Sequence, residues 1–184
     1  YLPILHHVLF VEVIQGMTAK VIVEVRNEIG MVRVVKLVNG NRALDLLILN
    51  AGVSFPPTIK DYRGFDTHFA TNYLGHFQLT LGLWEALKRS GNARVVALSS
   101  IGHMTGPIDL DDLHFTKRPY DKFVSYGESK SATSLFAIEL DKRGREHGVR
   151  AFGVHPGAVL SGLTGDFSNV DLAGWGVRRN EDGT

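Results

Sequence analysis

Tyr126 and Lys130 stand four residues apart in the run Tyr126-Gly127-Glu128-Ser129-Lys130. On a helix that separation puts both side chains on one face, one turn apart. A free phenol titrates near about 10, too high for efficient proton transfer at neutral pH, and an adjacent ammonium favours the phenolate and lowers that value. The pair therefore has the makings of an acid/base couple. The spacing is also short and common, and an exposed Tyr beside a solvated Lys fits it too. A second group of candidates sits where apolar runs stop, at Asn50-Ala51-Gly52, Ser99-Ser100 and His155-Pro156-Gly157. Small residues there allow a backbone to approach a flat ligand closely, although each alone is an ordinary loop start.

These residues need elements to hold them. Asp45 to Leu49, Arg94 to Ser99 and Val149 to Val154 are short apolar runs that read as strands. Between them, Asp61 to Arg89 and about Ser125 to Arg143 carry helical spacing. Strand, helix, strand, helix, strand implies an α/β fold, a Rossmann-like doubly wound parallel sheet with both faces covered. Ligands of such sheets bind outside the carboxyl ends of the strands, where all three small-residue clusters fall. The long first helix carries Leu79, Leu83 and Leu87 on one side and Phe77, Leu81 and Trp84 on another, so it needs a second cover, a neighbouring helix or a second subunit of a homodimer. Residues 1–42 form a segment without a fold assignment. Alternation at Val21, Val23 and Val25 and the β-branched run Val32 to Val38 predict strands there.

Composition narrows the classes of partner. The chain has 184 residues, 20 basic and 19 acidic, for a net charge of +1 without charge blocks, which leaves no footprint for nucleic acid. Cysteine is absent, which is compatible with a cytoplasmic location. The apolar opening, Tyr1 to Ile14, lacks a basic leader and falls short of the roughly 20 residues a membrane span requires. His6, His7, His103 and His114 have no Cys or carboxylate at ligand spacing, so no metal site is expected. His155 precedes a proline, which favours extended backbone and a structural role. Asp109, Asp111 and Asp112 read as turn and cap residues.

Taken in order, the motifs resemble those of the short-chain dehydrogenase/reductase family over about residues 43–165. Asp45 to Val53 looks like its N-A-G strand end, Thr71-Asn72-Tyr73-Leu74-Gly75-His76-Phe77 its asparagine segment, and Arg94 to Ser100 its serine strand. Tyr126 and Lys130 match Y-x-x-x-K, and Pro156-Gly157 matches its P-G turn. The N-Y-L-G-H-F run, the S-S-x-x-H start and His155-Pro156-Gly157 are similar to the retinol-dehydrogenase-like branch.

The resemblance implies an oxidoreductase that interconverts an alcohol and a carbonyl of a small-molecule substrate with NADP or NAD. Tyr126 would move the proton, Lys130 would lower its pKa and bind the cofactor ribose, and Ser100 would hydrogen-bond the substrate oxygen. Ser99 and Ser100 should not both face the site if the strand still runs there, because successive strand residues point to opposite sides. Asn72 would fix a water relaying protons to Lys130, or else bond to nearby backbone. Asn50, Ala51 and Gly52 would border the cofactor, Pro156 and Gly157 would shape the nicotinamide pocket, and Ser161 stands where the family often has a cofactor-contacting Thr. Residues 43–184 would thus form the catalytic portion.

The sequence departs from that pattern in one respect that matters for chemistry. No T-G-x-x-x-G-x-G run occurs; Gly16, Gly30 and Gly40 are isolated. Such a loop places backbone donors and a helix N-terminus against the pyrophosphate. The sheet is therefore expected to be incomplete at both ends, and a non-catalytic Rossmann-like module stands as the alternative. A nucleotide-sugar epimerase, which shares Y-x-x-x-K, ranks behind both because it needs a longer chain.

Overall fold

The structure, a computed structural model, describes residues 9–15, 19–25, 43–56, 59–61, 63–105 and 107–157. Ser161 and the run Val32 to Val38 lie outside the described residues. Five strands form one sheet in the order β2-β1-β3-β4-β5. They are β1 (Leu9–Gln15), β2 (Ala19–Val25), β3 (Leu46–Leu49), β4 (Arg94–Leu98) and β5 (Arg150–Val154). β3, β4 and β5 run parallel, with Leu47 opposite Val95 and Val95 opposite Ala151. The sheet is the Rossmann-like α/β arrangement expected; the alternating Val21, Val23 and Val25 lie in β2, while β1 falls in the apolar opening, where alternation marked no strand. These two form an antiparallel pair, and β1 also meets β3 antiparallel, so the sheet is mixed.

The first long helix opens with a turn at Thr67–Phe69, passes through a π-helical turn at Ala70–Leu74 and continues as α1, Gly75–Ser90. The sequence spacing placed its start at Asp61. The Asp61 carboxylate instead accepts hydrogen bonds from the amides of Arg63 and Phe65, closing a local turn, and Asp66 takes the cap position by accepting from Phe69 N at 2.8 Å. The second helix, α2 (Lys122–Gly144), starts earlier than Ser125 for the same reason: Asp121 accepts from the amides of Phe123 and Val124.

Register decides which residues become core. Leu47, Leu49, Val95, Ala97 and Ala151 share one sheet face and pack with Leu79, Leu83, Ala86 and Leu87 of α1 and Ala137 of α2. Both long helices therefore lie on one face of the sheet. On the opposite face Ile48 and Val96 are half-buried and Phe152 and Val154 exposed. The second side of the first helix meets α2, with the rings of Tyr73 and Phe77 6.2 and 5.9 Å from that of Phe136, while Leu81 stays exposed. No helix among the described residues is long and apolar enough to cross a membrane.

Candidate active site

The carboxyl ends of β3 and β4, the π-helical turn and the second turn of α2 converge. Lys130, 5% exposed, donates from Nζ to Leu98 O at the end of β4, at 2.9 Å. Its ammonium lies 5.6 Å from the centre of the Tyr126 ring, so the pair does share a helix face. Gly52, just past β3, completes this corner: a Cβ there would stand 3.2 Å from Asn72 Oδ1 and 3.8 Å from Lys130 Nζ. The missing side chain lets the backbone after β3 approach Asn72 and the ammonium closely.

Asn72 is tied to both neighbours. Its Oδ1 accepts from Val53 N at 2.8 Å, and its Nδ2 donates to Val53 O at 3.1 Å and to Ser129 Oγ at 3.0 Å. Its own carbonyl accepts from Thr133 Oγ1 at 3.2 Å. The π-helical turn around Asn72, a form frequent at functional sites, lets this interior residue serve the loop after β3 and the helix α2 at once. These partners are distant in sequence, not the nearby backbone that a helix-interior Asn commonly uses.

The two serines lie just past the end of β4 and bond different partners. Ser99 is buried towards α2, with Oγ donating to Lys130 O at 3.1 Å and lying 2.7 Å from Ser134 Oγ. Ser100 accepts from Gly102 N at 3.1 Å and hydrogen-bonds the Tyr126 side chain. The structure thus brings Gly52, Asn72, Ser100, Tyr126 and Lys130 together. Ala51 is buried behind them and Asn50 exposed at the end of β3. Pro156 and Gly157 follow β5 and are exposed, Gly157 with φ of 86°.

Protonation differs from what the spacing implies. Burial pushes the Tyr126 phenol up from its ordinary value, opposed by the hydrogen bond from Ser100. The Lys130 ammonium, held against a carbonyl, does not reverse this. Burial also pushes Lys130 itself down to about 8. A phenol that stays protonated is suited to giving a proton, and an ammonium near neutrality is poised to respond to a ligand.

Two features carry no motif and escaped the sequence reading. His68, His76 and Glu128 are buried. Arg118 donates to both carboxylate oxygens of Glu128 at 2.8 Å, while Asp109 N donates to Glu128 Oε1 at 3.2 Å. Asp112 accepts from the amides of Thr116, Lys117 and Arg118, the turn role expected of it. The segment between β4 and α2 is thereby clamped onto the helix that carries Tyr126. Glu128, set between Tyr126 and Lys130, was the available signal. His68 forms the second feature, with Ser125 and Asp66. Among the described residues no cluster of His, Asp or Glu could hold a metal ion.

A profile of the short chain dehydrogenase family matches residues 12–111. Retinol dehydrogenase 12 of Mus musculus is 52% identical over 123 residues, covering 67% of this chain and 39% of its own length. Retinol dehydrogenase 13 of Homo sapiens is 40% identical over 128 residues, covering 70% and 39%. A crystal structure of an uncharacterised protein from Mycobacterium paratuberculosis is 36% identical with a TM-score of 0.61, covering 74% of this chain and 50% of that one. The chain thus spans less than half the length of the curated relatives it matches.

Proposed function

The chain belongs to the short chain dehydrogenase family, in its retinol-dehydrogenase-like branch, and from that premise we propose that it interconverts an alcohol and a carbonyl of a small-molecule substrate with NADP or NAD, Tyr126 serving as acid and base. The observation that carries this reading is the convergence of Ser100, Tyr126 and Lys130 beside the side-chain-free Gly52.

The corner fits the ribose and nicotinamide end of the cofactor. Lys130 Nζ would hold the ribose, and Asn50, Ala51 and Gly52 would border it, with Pro156 and Gly157 shaping the ring's pocket and Ser161 adding a contact. The nicotinamide supplies or accepts the hydride when bound. Tyr126 gives its hydroxyl proton to the carbonyl oxygen in reduction, the direction that the burial-raised phenol favours, and as the phenolate left by that step or formed at higher pH removes the alcohol proton in oxidation. Ser100 donates to the same oxygen as negative charge develops on it. Asn72, with its amide committed to Val53 and Ser129, holds the loop of Gly52 against α2. A relay water would meet the site through atoms other than that amide. A cytoplasmic location belongs to the same proposal.

Titrating the protein with NADPH and NADH by nucleotide fluorescence tests this directly. Saturable binding of at least one is expected, and no binding of either at millimolar concentration contradicts the reading. A specific observation favours the second reading, a non-catalytic module. No glycine-rich phosphate run occurs in the sequence, and the strand β1 turns into the antiparallel β2 rather than into a helix N-terminus. Failure to bind either nucleotide is the outcome that module predicts.

A further inference from the structure

His68 lies one turn before Asn72, with none of its surface exposed, and both ring nitrogens are engaged. Nε2 accepts from Phe55 N at 2.9 Å, so that nitrogen carries no proton. Burial, assisted by the Lys130 charge, pushes the imidazole down to about 3, so the ring is neutral and its one proton sits on Nδ1. Nδ1 then donates to Ser125 Oγ at 2.7 Å, and Ser125 in turn donates to Asp66 Oδ2 at 2.8 Å. Every donor in the chain from Phe55 N to the Asp66 carboxylate has one acceptor, in one direction. The titratable groups facing the ring are Asp66, Tyr120, whose hydroxyl lies 3.4 Å from Nδ1, Tyr126 and Lys130.

The three groups joined by the ring belong to three different elements. Phe55 is in the loop that follows Gly52, Asp66 caps the helix that bears Asn72, and Ser125 is the residue before Tyr126 in α2. Phe55 has φ of 52°, a left-handed conformation that a non-glycine residue holds only when its surroundings impose it. The bond from its amide to His68 is one such constraint. The ring of Phe55 is packed 4.8 Å from Phe123 and 6.1 Å from Tyr126, and the His68 ring itself lies 5.7 Å from Tyr126, edge to face.

We propose that His68 is a positioning residue for Tyr126: it locks Phe55 in its left-handed turn, and the Phe55 and His68 rings together form the dry wall that holds the Tyr126 phenol towards Ser100. The proposal rests on the reading of Tyr126 as the proton-transfer group.

The test compares His68→Leu, which loses both bonds, with His68→Gln, whose amide oxygen can still accept from Phe55 N. The first readout needs no turnover: the alkaline titration of Tyr126, taken as the tyrosinate absorbance lost in Tyr126→Phe, in each background. His68→Leu is expected to move that titration down by about one pH unit as water reaches the phenol. It should lower kcat by about tenfold or more, with the cofactor KM within about threefold. His68→Gln is expected to restore most of both. A folded His68→Leu protein with the Tyr126 titration unmoved, or a Gln variant no better than Leu, overturns the proposal. Should circular dichroism show His68→Leu unfolded, Ser125→Ala cuts the same chain and is judged by the same two readouts. Absence of nicotinamide-dependent turnover in the unmodified protein counts against the oxidoreductase reading, while the tyrosinate titration still decides the role of His68.

Discussion

Lys130 is charged below about 8 and neutral above it, because burial disfavours the ammonium and lowers its pKa. Retention of charge at pH 7 is therefore substantial, and the charge is lost as pH rises through that value. Reduction assayed at limiting cofactor should fall on the alkaline side of pH about 8, and Lys130→Met should abolish that limb while raising the cofactor KM. The serines give a sharper contrast. Ser100→Ala is expected to lower kcat by about a hundredfold through loss of a donor to the developing oxyanion. Ser99→Ala, whose hydroxyl bonds Lys130 O and Ser134, should leave kcat near normal and cost about 1 kcal/mol in urea unfolding. Strand alternation alone does not make that distinction, because β4 ends at Leu98; the hydrogen-bond partners of the two hydroxyls do. The direction of the Tyr126 shift was not legible, because the spacing of Tyr126 and Lys130 reports a shared face and says nothing of how deeply that face is buried.

At the scale of elements, the close approach of α2 to the turn Ile101–Thr105 fixes where Ser100 meets Tyr126. Gly127 permits it: a Cβ there would run into Thr105 Oγ1 and stand 2.7 Å from Gly102 O. Gly127→Ala should destabilise the protein by about 1–3 kcal/mol in denaturant titration, since an overpacked contact against backbone cannot relax. The same change should lower kcat, because the turn that must yield follows Ser100 directly. The strands β3, β4 and β5 and both helices could be read from apolar runs and helical spacing within a few residues. Their starts could not, because Asp61, Asp66 and Asp121 choose between turn and cap by their local hydrogen bonds, which periodicity does not encode. The antiparallel pairing of β1 with β2 and β3 was equally hidden, since the alternation at Val21, Val23 and Val25 marks β2 as a strand without giving its direction.

Acid stability is a property of the molecule as a whole. Hydrogen bonds from Arg150 and Arg145, with the amide of Ala151, hold the Asp141 carboxyl well below its ordinary range and tie the end of α2 to β5. Burial pushes Asp112 up, but its bonds from Thr116, Lys117 and Arg118 outweigh this and hold it low. Carboxyls depressed in the folded state contribute stability above their unfolded pKa, and that contribution is lost as pH falls. The melting temperature should therefore drop between about pH 5 and pH 3, and Asp141→Asn should flatten the drop. Asp66, raised by burial, works in the opposite sense. The second side of the first helix is covered by α2, the neighbouring-helix alternative, while Leu81 of α1 and Leu135 and Ile138 of α2 are exposed, and we propose that a second subunit of a homodimer covers them. Sedimentation showing only monomer at working concentration would count against it.

Everything in the account of chemistry passes through the Tyr126 hydroxyl, so the most direct measurement is steady-state turnover of Tyr126→Phe with the preferred nicotinamide cofactor. A loss in kcat of about a hundredfold or more, with nucleotide binding within about threefold of the unmodified protein, is the predicted result. Turnover in Tyr126→Phe equal to that of the unmodified protein would contradict it.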